Sequence, residues 1–316
     1  MFAKEPLSYQ IYSLSGPPMI TMNPMNSLPS LHSLSLRLAV ALALGLAMIE
    51  VCGAQVFYSV ASPDGRQSWL LGTLHSEDAR VLDFPPVLEQ ALRQADTVAL
   101  ELVPAQQQMD RLAAAMRLPQ GQELADYLDD GLHKRVVAAL RDRGMQPEAV
   151  ARLRPWAAAL TLAQPPVKTG RFMDVVLAQR AARHGAVAVP LETMSEQLAF
   201  ITGMGRGAHI ALLESAVDDH EQDGEAFEAL VQAWLAGDLD KLVQLAEAHL
   251  SDLPVSVRSQ FRQAGIVERN RNMAKRAQPL IERGRTLIAV GALHLPGPEG
   301  MIALLREQGN RVEAIY

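Results

Sequence analysis

The chain has 316 residues, of which 49% are apolar, 20% charged and 5% aromatic, and its formal net charge is −6. That balance is globular and long enough to bury a core without cross-links, and it gives no basic footprint for nucleic acid or anionic lipid. The single cysteine, Cys52, excludes an intrachain disulfide framework.

Residues 1–36 are rich in Ser, Pro and Met and show no periodicity. Arg37 and the apolar run from Leu38 to Ile49 follow, then a small-residue stretch that ends at Ala54. One basic residue, a short apolar run and a small-x-small site read as a secretory signal. The run falls short of the about 20 residues that a spanning helix needs. The alternative is an uncleaved signal anchor, which would be the chain's one membrane contact. Met22 and Met25 are candidate translation starts, and Glu50 spoils a lipoprotein box around Cys52. The expected arrangement is an N-terminal extension and signal over 1–54 and one domain over 55–316. The mature chain, periplasmic or secreted, then begins at Gln55 without a cysteine, which suits an oxidising compartment and removes thiolate chemistry.

From Val56, VFYSVA and SWLLGTLH read as strands joined by a turn at SPDGR. Pro85 to Ala95 has helical spacing and Thr97 to Val103 is a β-rich apolar run. The middle is helical over 106–116, 133–143, 147–163 and 173–184, with a strand-like run from Ala186 to Glu192. Helices follow over 194–201, 208–219, 225–236, 239–250 and 257–277. Thr286 to His294 is a strand into a loop, Pro298 to Gly309 a helix, and NRVEAIY a closing strand. The expected fold class is therefore α/β: a mixed central sheet built from both chain ends, with a large helical insertion.

LLGTLH and VGALH each end an apolar strand with Gly-x-x-His. In a sheet with helical crossovers, ligands gather beyond the carboxyl ends of the strands. There Gly72 and Gly291 would let the backbone bend or be approached closely, and His75 and His294 would project from one edge. A neutral imidazole at such an edge ligates a metal or moves a proton. Glu101 interrupts an apolar run, so either its face is solvated or it meets a cation. Glu192 repeats the situation, with an edge-strand charge as the plain alternative. Two histidines and one or two carboxylates make an N/O ligand set for a divalent metal such as Mn, Co or Zn.

Other features are weaker. The acidic stretch Asp218 to Asp223 reads as a solvated helix end. His133, His184, His209 and His249 fall on amphipathic helices as surface residues. Neither a nucleophile elbow nor a phosphate-binding loop occurs in the sequence. Val267 to Arg276 reads as a charged helix face, or as the source of a guanidinium that reaches a polarised carbonyl.

The sequence resembles the TraB/GumN family, which includes the PrgY proteins and the Tiki metalloproteases. The resemblance runs from WLLGTLH through VALEL, FMDVVLAQRA, PLETMSEQL and ERNRNMA to the closing VGALHLPGPEGMIALLREQGNRVEAIY. It implies a fold similar to the ChaN and erythromycin esterase folds. It also implies a metal-dependent peptidase role for His75, His294 and Glu101, extended to Arg269 and Asn270. The expected function is a metal-dependent hydrolase acting on a peptide or protein. His75, His294, Glu101 and Glu192 would hold the metal, Glu101 would also act in catalysis, and Arg269 or Asn270 would steady the oxyanion. The competing readings are a metal-free, esterase-like hydrolase with a histidine base and a non-catalytic protein that binds a peptide or a metal.

Overall fold

The computed structural model describes residues 55–103, 106–221 and 225–315. The expected signal segment, its cleavage site and Cys52 lie outside them. Strands β1 (Phe57–Ala61) and β2 (Gln67–Thr73) form an antiparallel hairpin in which Phe57 faces Leu71 and Ala61 faces Gln67. Gly65, at φ 81, supplies the left-handed residue of the turn. Helices α1 (Ala79–Leu82) and α2 (Pro86–Gln94) lead to β3 (Thr97–Leu100). The insertion holds α3 (Gln106–Ala115), a 3₁₀ turn over Leu124–Tyr127, α4 (Asp130–Asp142), α5 (Pro147–Ala151), α6 (Pro155–Ala163) and α7 (Met173–Arg183). After β4 (Val187–Pro190) come α8 (Met194–Thr202), α9 (Arg206–Glu221), α10 (Glu225–Leu235), α11 (Leu239–Leu250) and α12 (Val255–Gln260). A π-helical stretch, Phe261–Val267, runs directly into α13 (Glu268–Arg283). The chain then closes with β5 (Thr286–Gly291), a 3₁₀ turn (Ala292–His294), α14 (Met301–Glu307) and β6 (Arg311–Ala314).

The six strands form one mixed sheet in the order β4-β3-β5-β2-β1-β6. β2 pairs with β5, β5 with β3 and β3 with β4, all in parallel, while β1 runs antiparallel to both neighbours. The sheet is thus built from both chain ends, as the α/β reading expects. β3 leads outward to β4 on one side and β5 leads towards β6 on the other, so the paths diverge at these two adjacent strands. That reversal is where open α/β sheets leave a crevice.

Strand alternation divides the core. Phe57, Trp69, Leu71, Val98, Leu100 and Leu287 face one way and pack with residues of α2, α7 and α10. Tyr58, Leu70, Ala99, Ile288 and Val290 face the other way, against Met273, Ala277 and Ile281 of α13 and Leu305 of α14. A third cluster, built by α4, α6, α9 and α12, has no strand in it. Among the described residues no helix is long and apolar enough to cross a membrane.

Several expected boundaries move. The helix expected over 147–163 divides into α5 and α6 because Pro155 starts a new helix and bars the residue before it from helical backbone. β3 ends at Leu100 instead of Val103, so Glu101 follows the strand and does not interrupt it. The helix expected over 257–277 is part of a run from Val255 to Arg283 with the π-helical stretch inside it.

Gly72 shows why the first Gly-x-x-His needs its glycine. A Cβ there would stand 2.7 Å from Leu295 Cδ1 and 3.0 Å from Ala292 Cα, which belong to the turn that follows β5. The bare backbone of one motif therefore receives the turn of the other, and the Gly72 carbonyl accepts the Trp234 indole N–H at 2.8 Å. Gly72→Ala should destabilise the fold by about 1–3 kcal/mol, the usual cost of overpacking a core. Denaturant unfolding measures this, and an unchanged midpoint would show that the two turns are not packed in this way.

Candidate functional site

The site forms where β3, β4 and β5 end. Past β3 and β4 the chains stay paired: Leu191 N–H donates to Leu100 O at 2.7 Å and Glu192 N–H to Glu101 O at 2.9 Å. Pairing continued beyond the strands is what sets the two carboxylates side by side. β5 ends at Gly291, whose N–H donates to Glu101 Oε1 at 2.6 Å. A Cβ on Gly291 would lie 3.2 Å from that oxygen, so here too the glycine makes room for a close approach.

Arg269, in the first turn of α13, joins the carboxylates. Its Nη2 donates to Glu101 Oε2 at 2.7 Å and to Glu192 Oε2 at 2.6 Å, and its Nε donates to both Glu192 oxygens at 3.0 and 3.1 Å. Nη1 holds the Gly265 carbonyl of the π-helical stretch at 3.3 Å. From α8, Gln197 Nε2 donates to Glu192 Oε2 at 3.1 Å and reaches Glu101 Oε2 at 3.4 Å. A capping box between Thr193 and Glu196 starts α8 and fixes where Gln197 points.

Asn270 is fully buried at 0% exposure. Its Nδ2 donates to the Glu299 carbonyl at 2.8 Å, which turns Oδ1 towards His294 Nδ1 at 2.6 Å. An amide oxygen only accepts, so Nδ1 of His294 carries the proton and Nε2 the lone pair. Nε2 stands 3.7 Å from Glu101 Oε1.

Burial pushes the Glu101 carboxyl up, but attraction to His294 when it is protonated and to Arg269, with hydrogen bonds from Gly291 and Arg269, outweighs it and holds the group below the ordinary carboxylate range. Burial takes the His294 imidazole below its ordinary value, and the pull of Glu101 towards the charged form does not overcome it. Counted by formal charge, the centre sets two acidic side chains against one guanidinium beside a neutral imidazole.

His75 lies two residues past β2, the neighbour of β5, but keeps different company. It is exposed, stacks on Phe172 with ring centroids 4.0 Å apart, and sets Nδ1 3.8 Å from Asp174 Oδ2. The loop that brings Phe172 is held by Glu77, whose carboxylate accepts N–H bonds from Lys168, Thr169 and Gly170 at 3.0, 2.9 and 2.6 Å.

The structure thus gathers Glu101, Glu192, Arg269, Asn270 and His294, and it sets His75 at the adjoining strand end with its own partners. Among the described residues no three His, Cys, Asp or Glu side chains converge as a metal cage. Arg269 hydrogen-bonds both carboxylates, and Asn270 hydrogen-bonds the imidazole. Sequence reasoning gave no role to Gln197, Asp174, Phe172 or Glu77. Gln197, Asp174 and Phe172 carried a signal only as members of the quoted motifs, and Glu77 carried none.

Arg269→Met would leave two carboxylates without their cation, and breaking a buried ion pair in this way costs about 3–5 kcal/mol. Adding Glu192→Gln removes one stranded charge and should recover part of that loss. Denaturant unfolding of both variants provides the check. If the double variant is no more stable than the single one, Glu192 and Arg269 do not act as a charge pair.

Comparison with known proteins fits this geometry. The chain is 27% identical over 299 residues to a protein named Metalloprotease TIKI2 from Danio rerio, covering 78% of this chain and 58% of that protein. It is also 27% identical over 299 residues to a Metalloprotease TIKI2 from Xenopus tropicalis, covering 78% of this chain and 57% of that protein. The chain therefore spans somewhat over half the length of these curated relatives. No solved structure matches it. The family model described as TraB/PrgY/gumN family matches residues 56–314, taking in every strand of the sheet and every residue of the carboxylate site, and the chain belongs to that family.

Proposed function

We propose that the chain is a metal-dependent hydrolase acting on a peptide or protein, with its centre at His294 and Glu101. One observation carries the reading. The lone pair of His294 Nε2 and the carboxylate oxygen Glu101 Oε1 stand 3.7 Å apart, acceptor to acceptor. Two acceptors held in this way repel unless a cation lies between them. Metal–ligand bonds of about 2 Å bring two ligand atoms to roughly this separation. The formal excess of acidic side chains at the centre favours the same occupant, and the names of the relatives from Danio rerio and Xenopus tropicalis support a metalloprotease.

The donor set fits a divalent cation in part. His294 and Glu101 would be first ligands, with Asn270 fixing the imidazole tautomer as outer-shell partners do. His75 would be the further ligand, oriented by Asp174, and its seat on an exposed loop lets it move. Glu192 has both oxygens engaged by Arg269, so we assign it to holding the guanidinium and not to the metal. Bound there, a divalent cation such as Mn, Co or Zn would polarise a scissile carbonyl and acidify a water molecule. The chain's own part is to keep Glu101 ionised, to keep His294 neutral with Nε2 free, and to hold both on a rigid strand edge. Glu101 can also accept a proton on Oε1, at the cost of its bond from Gly291.

The experiment measures metal content, unfolding and peptide turnover on the wild type and on His75→Ala, His294→Ala and Glu101→Gln. His294→Ala should lose the metal and the turnover together. Asn270→Ala should weaken metal affinity about 10–100-fold, the usual effect of removing an outer-shell partner. A wild type that binds no more metal than His294→Ala would sink the reading and leave a peptide-binding protein or a histidine-base hydrolase. Turnover then separates those two.

The lowered His294 value also fixes a pH window. The unfolded chain takes up a proton there below about 6.5, whereas the folded chain does so only at lower pH. Folding stability is therefore undiminished above that value and falls as pH drops through it, because the unfolded state binds more protons. Metal uptake at neutral pH should likewise displace no proton from His294, and calorimetry in buffers of different ionisation enthalpy tests this.

A further inference from the structure

The helical part of the insertion holds a second feature that the carboxylate site does not use. A pocket of about 160 Å³ opens at the N-terminus of α6, where Arg154 is the N-cap and Pro155 and Trp156 are the first helical residues. Helix α6 is nine residues long and no side chain caps its start. Pro155 has no N–H and Ala157 and Ala158 donate theirs to the Arg154 carbonyl at 2.9 and 3.0 Å, so the first turn offers the Trp156 amide and the positive end of the helix dipole. Arg206, at the start of α9, and His209 also line it, and among the described residues no carboxylate does. His209 is thus a pocket residue, half-buried, and not the surface residue expected from its helix.

The cations here are not neutralised. Arg154 gives Nε to the Arg117 carbonyl at 3.1 Å, and its terminal nitrogens have no hydrogen bond among the described residues. Arg206 gives Nη2 to the carbonyls of Asp126 and Tyr127 at 3.2 and 3.1 Å and lies 4.9 Å over the Tyr127 ring. Neither guanidinium pairs with a carboxylate among the described residues, in a chain of net charge −6. Trp156 is only 2% exposed, and its indole N–H has no partner among the described residues. Trp156 is one of the residues that line the pocket. His209 spends Nε2 on the Ile201 carbonyl at 2.8 Å, which leaves Nδ1 as its free nitrogen.

Two guanidiniums without a carboxylate, a free first-turn amide and an indole N–H without a protein acceptor all favour the same thing, negative oxygen. The space is well below the ~300 Å³ at which pockets for drug-sized molecules begin, so the occupant is a small group. We propose that this pocket binds a small oxyanion, a carboxylate or a phosphate, between Arg154, Arg206 and the Trp156 indole. The proposal does not depend on the hydrolase reading, since none of these residues belongs to the carboxylate site.

The test follows the Trp156 indole resonance by NMR, assigned through Trp156→Phe, while sodium phosphate or sodium acetate is added to the full chain. Sodium chloride at matched ionic strength is the control. The resonance should move saturably with at least one of the two anions. Acetate alone would mark a carboxylate site, phosphate alone a phosphate site, and movement with both the shared oxyanion chemistry. Arg154→Gln should weaken the affinity more than tenfold. Trp156→Phe, which keeps the packing, should weaken it about tenfold when read by calorimetry, the loss expected for one hydrogen bond. Arg154→Gln also guards against misfolding, because it leaves the carbonyl bonds of Arg206 intact. A resonance that moves no further in either anion than in chloride overturns the site, and so does wild-type affinity in Arg154→Gln.

Discussion

Arg269 stands between Glu101 and Glu192 with hydrogen bonds of 2.7 Å to one and 2.6 Å to the other, and the carboxyl edge of the sheet is arranged around that contact. Buried charges are tolerable only when paired and bonded. Each element near the edge answers that demand: β3 and β4 deliver a carboxylate apiece, α8 adds an amide, β5 adds a backbone N–H, and α13 brings the guanidinium. Because Arg269 and Asn270 are neighbours, the helix turn that neutralises the carboxylates also aims His294. Charge balance and histidine orientation are thus one structural decision.

The two Gly-x-x-His motifs are not independent copies of one device. Gly72 leaves room for the turn that carries His294, while Gly291 leaves room for the Glu101 carboxylate. Each glycine thus serves the half of the site that arises from the other end of the chain. A parallel pairing of β2 with β5 is what lets motifs more than 200 residues apart interlock, with Gly72 opposite Val290 and Thr73 opposite Gly291.

Much of this was legible in the sequence, and the exceptions have physical causes. Strand placement and the nearness of the two motifs follow from apolar runs and from one repeated unit. Glu101 betrayed itself by its cost, as a charge in an apolar run. Arg269 did not, because a cation on a charged helix looks the same whether it meets water or two carboxylates from the ends of distant strands. Glu192 looked like a ligand for the complementary reason: only the identity of its cation, a guanidinium, separates the two roles. The partners of His75 come from a loop whose position depends on Glu77, and hydrogen bonds to backbone N–H groups leave no residue pattern to read. The pocket at α6 was hidden because its defining property is the absence of carboxylates near two arginines.

The π-helical stretch Phe261–Val267 sits immediately before Arg269 and Asn270, and Gly265 within it lies under Phe200, where a Cβ would come 2.8 Å from Cζ. A wide turn of this kind holds more residues than an α turn over the same rise, and such turns recur at functional sites. It acts as a phase shifter: each residue of α-helix advances the side chains by about 100°, so one extra residue turns the helix on one side of the stretch against the helix on the other. Met273, Ala277 and Ile281 lock the azimuth of α13 in the core, and that of Arg269 and Asn270 with it, so the stretch sets the phase of α12 against them. In evolutionary terms, a single-codon deletion between 261 and 267 would fall on the joint between two helices, turning α12 against α13 and displacing the Gly265 carbonyl from Arg269 without altering a residue that faces the site.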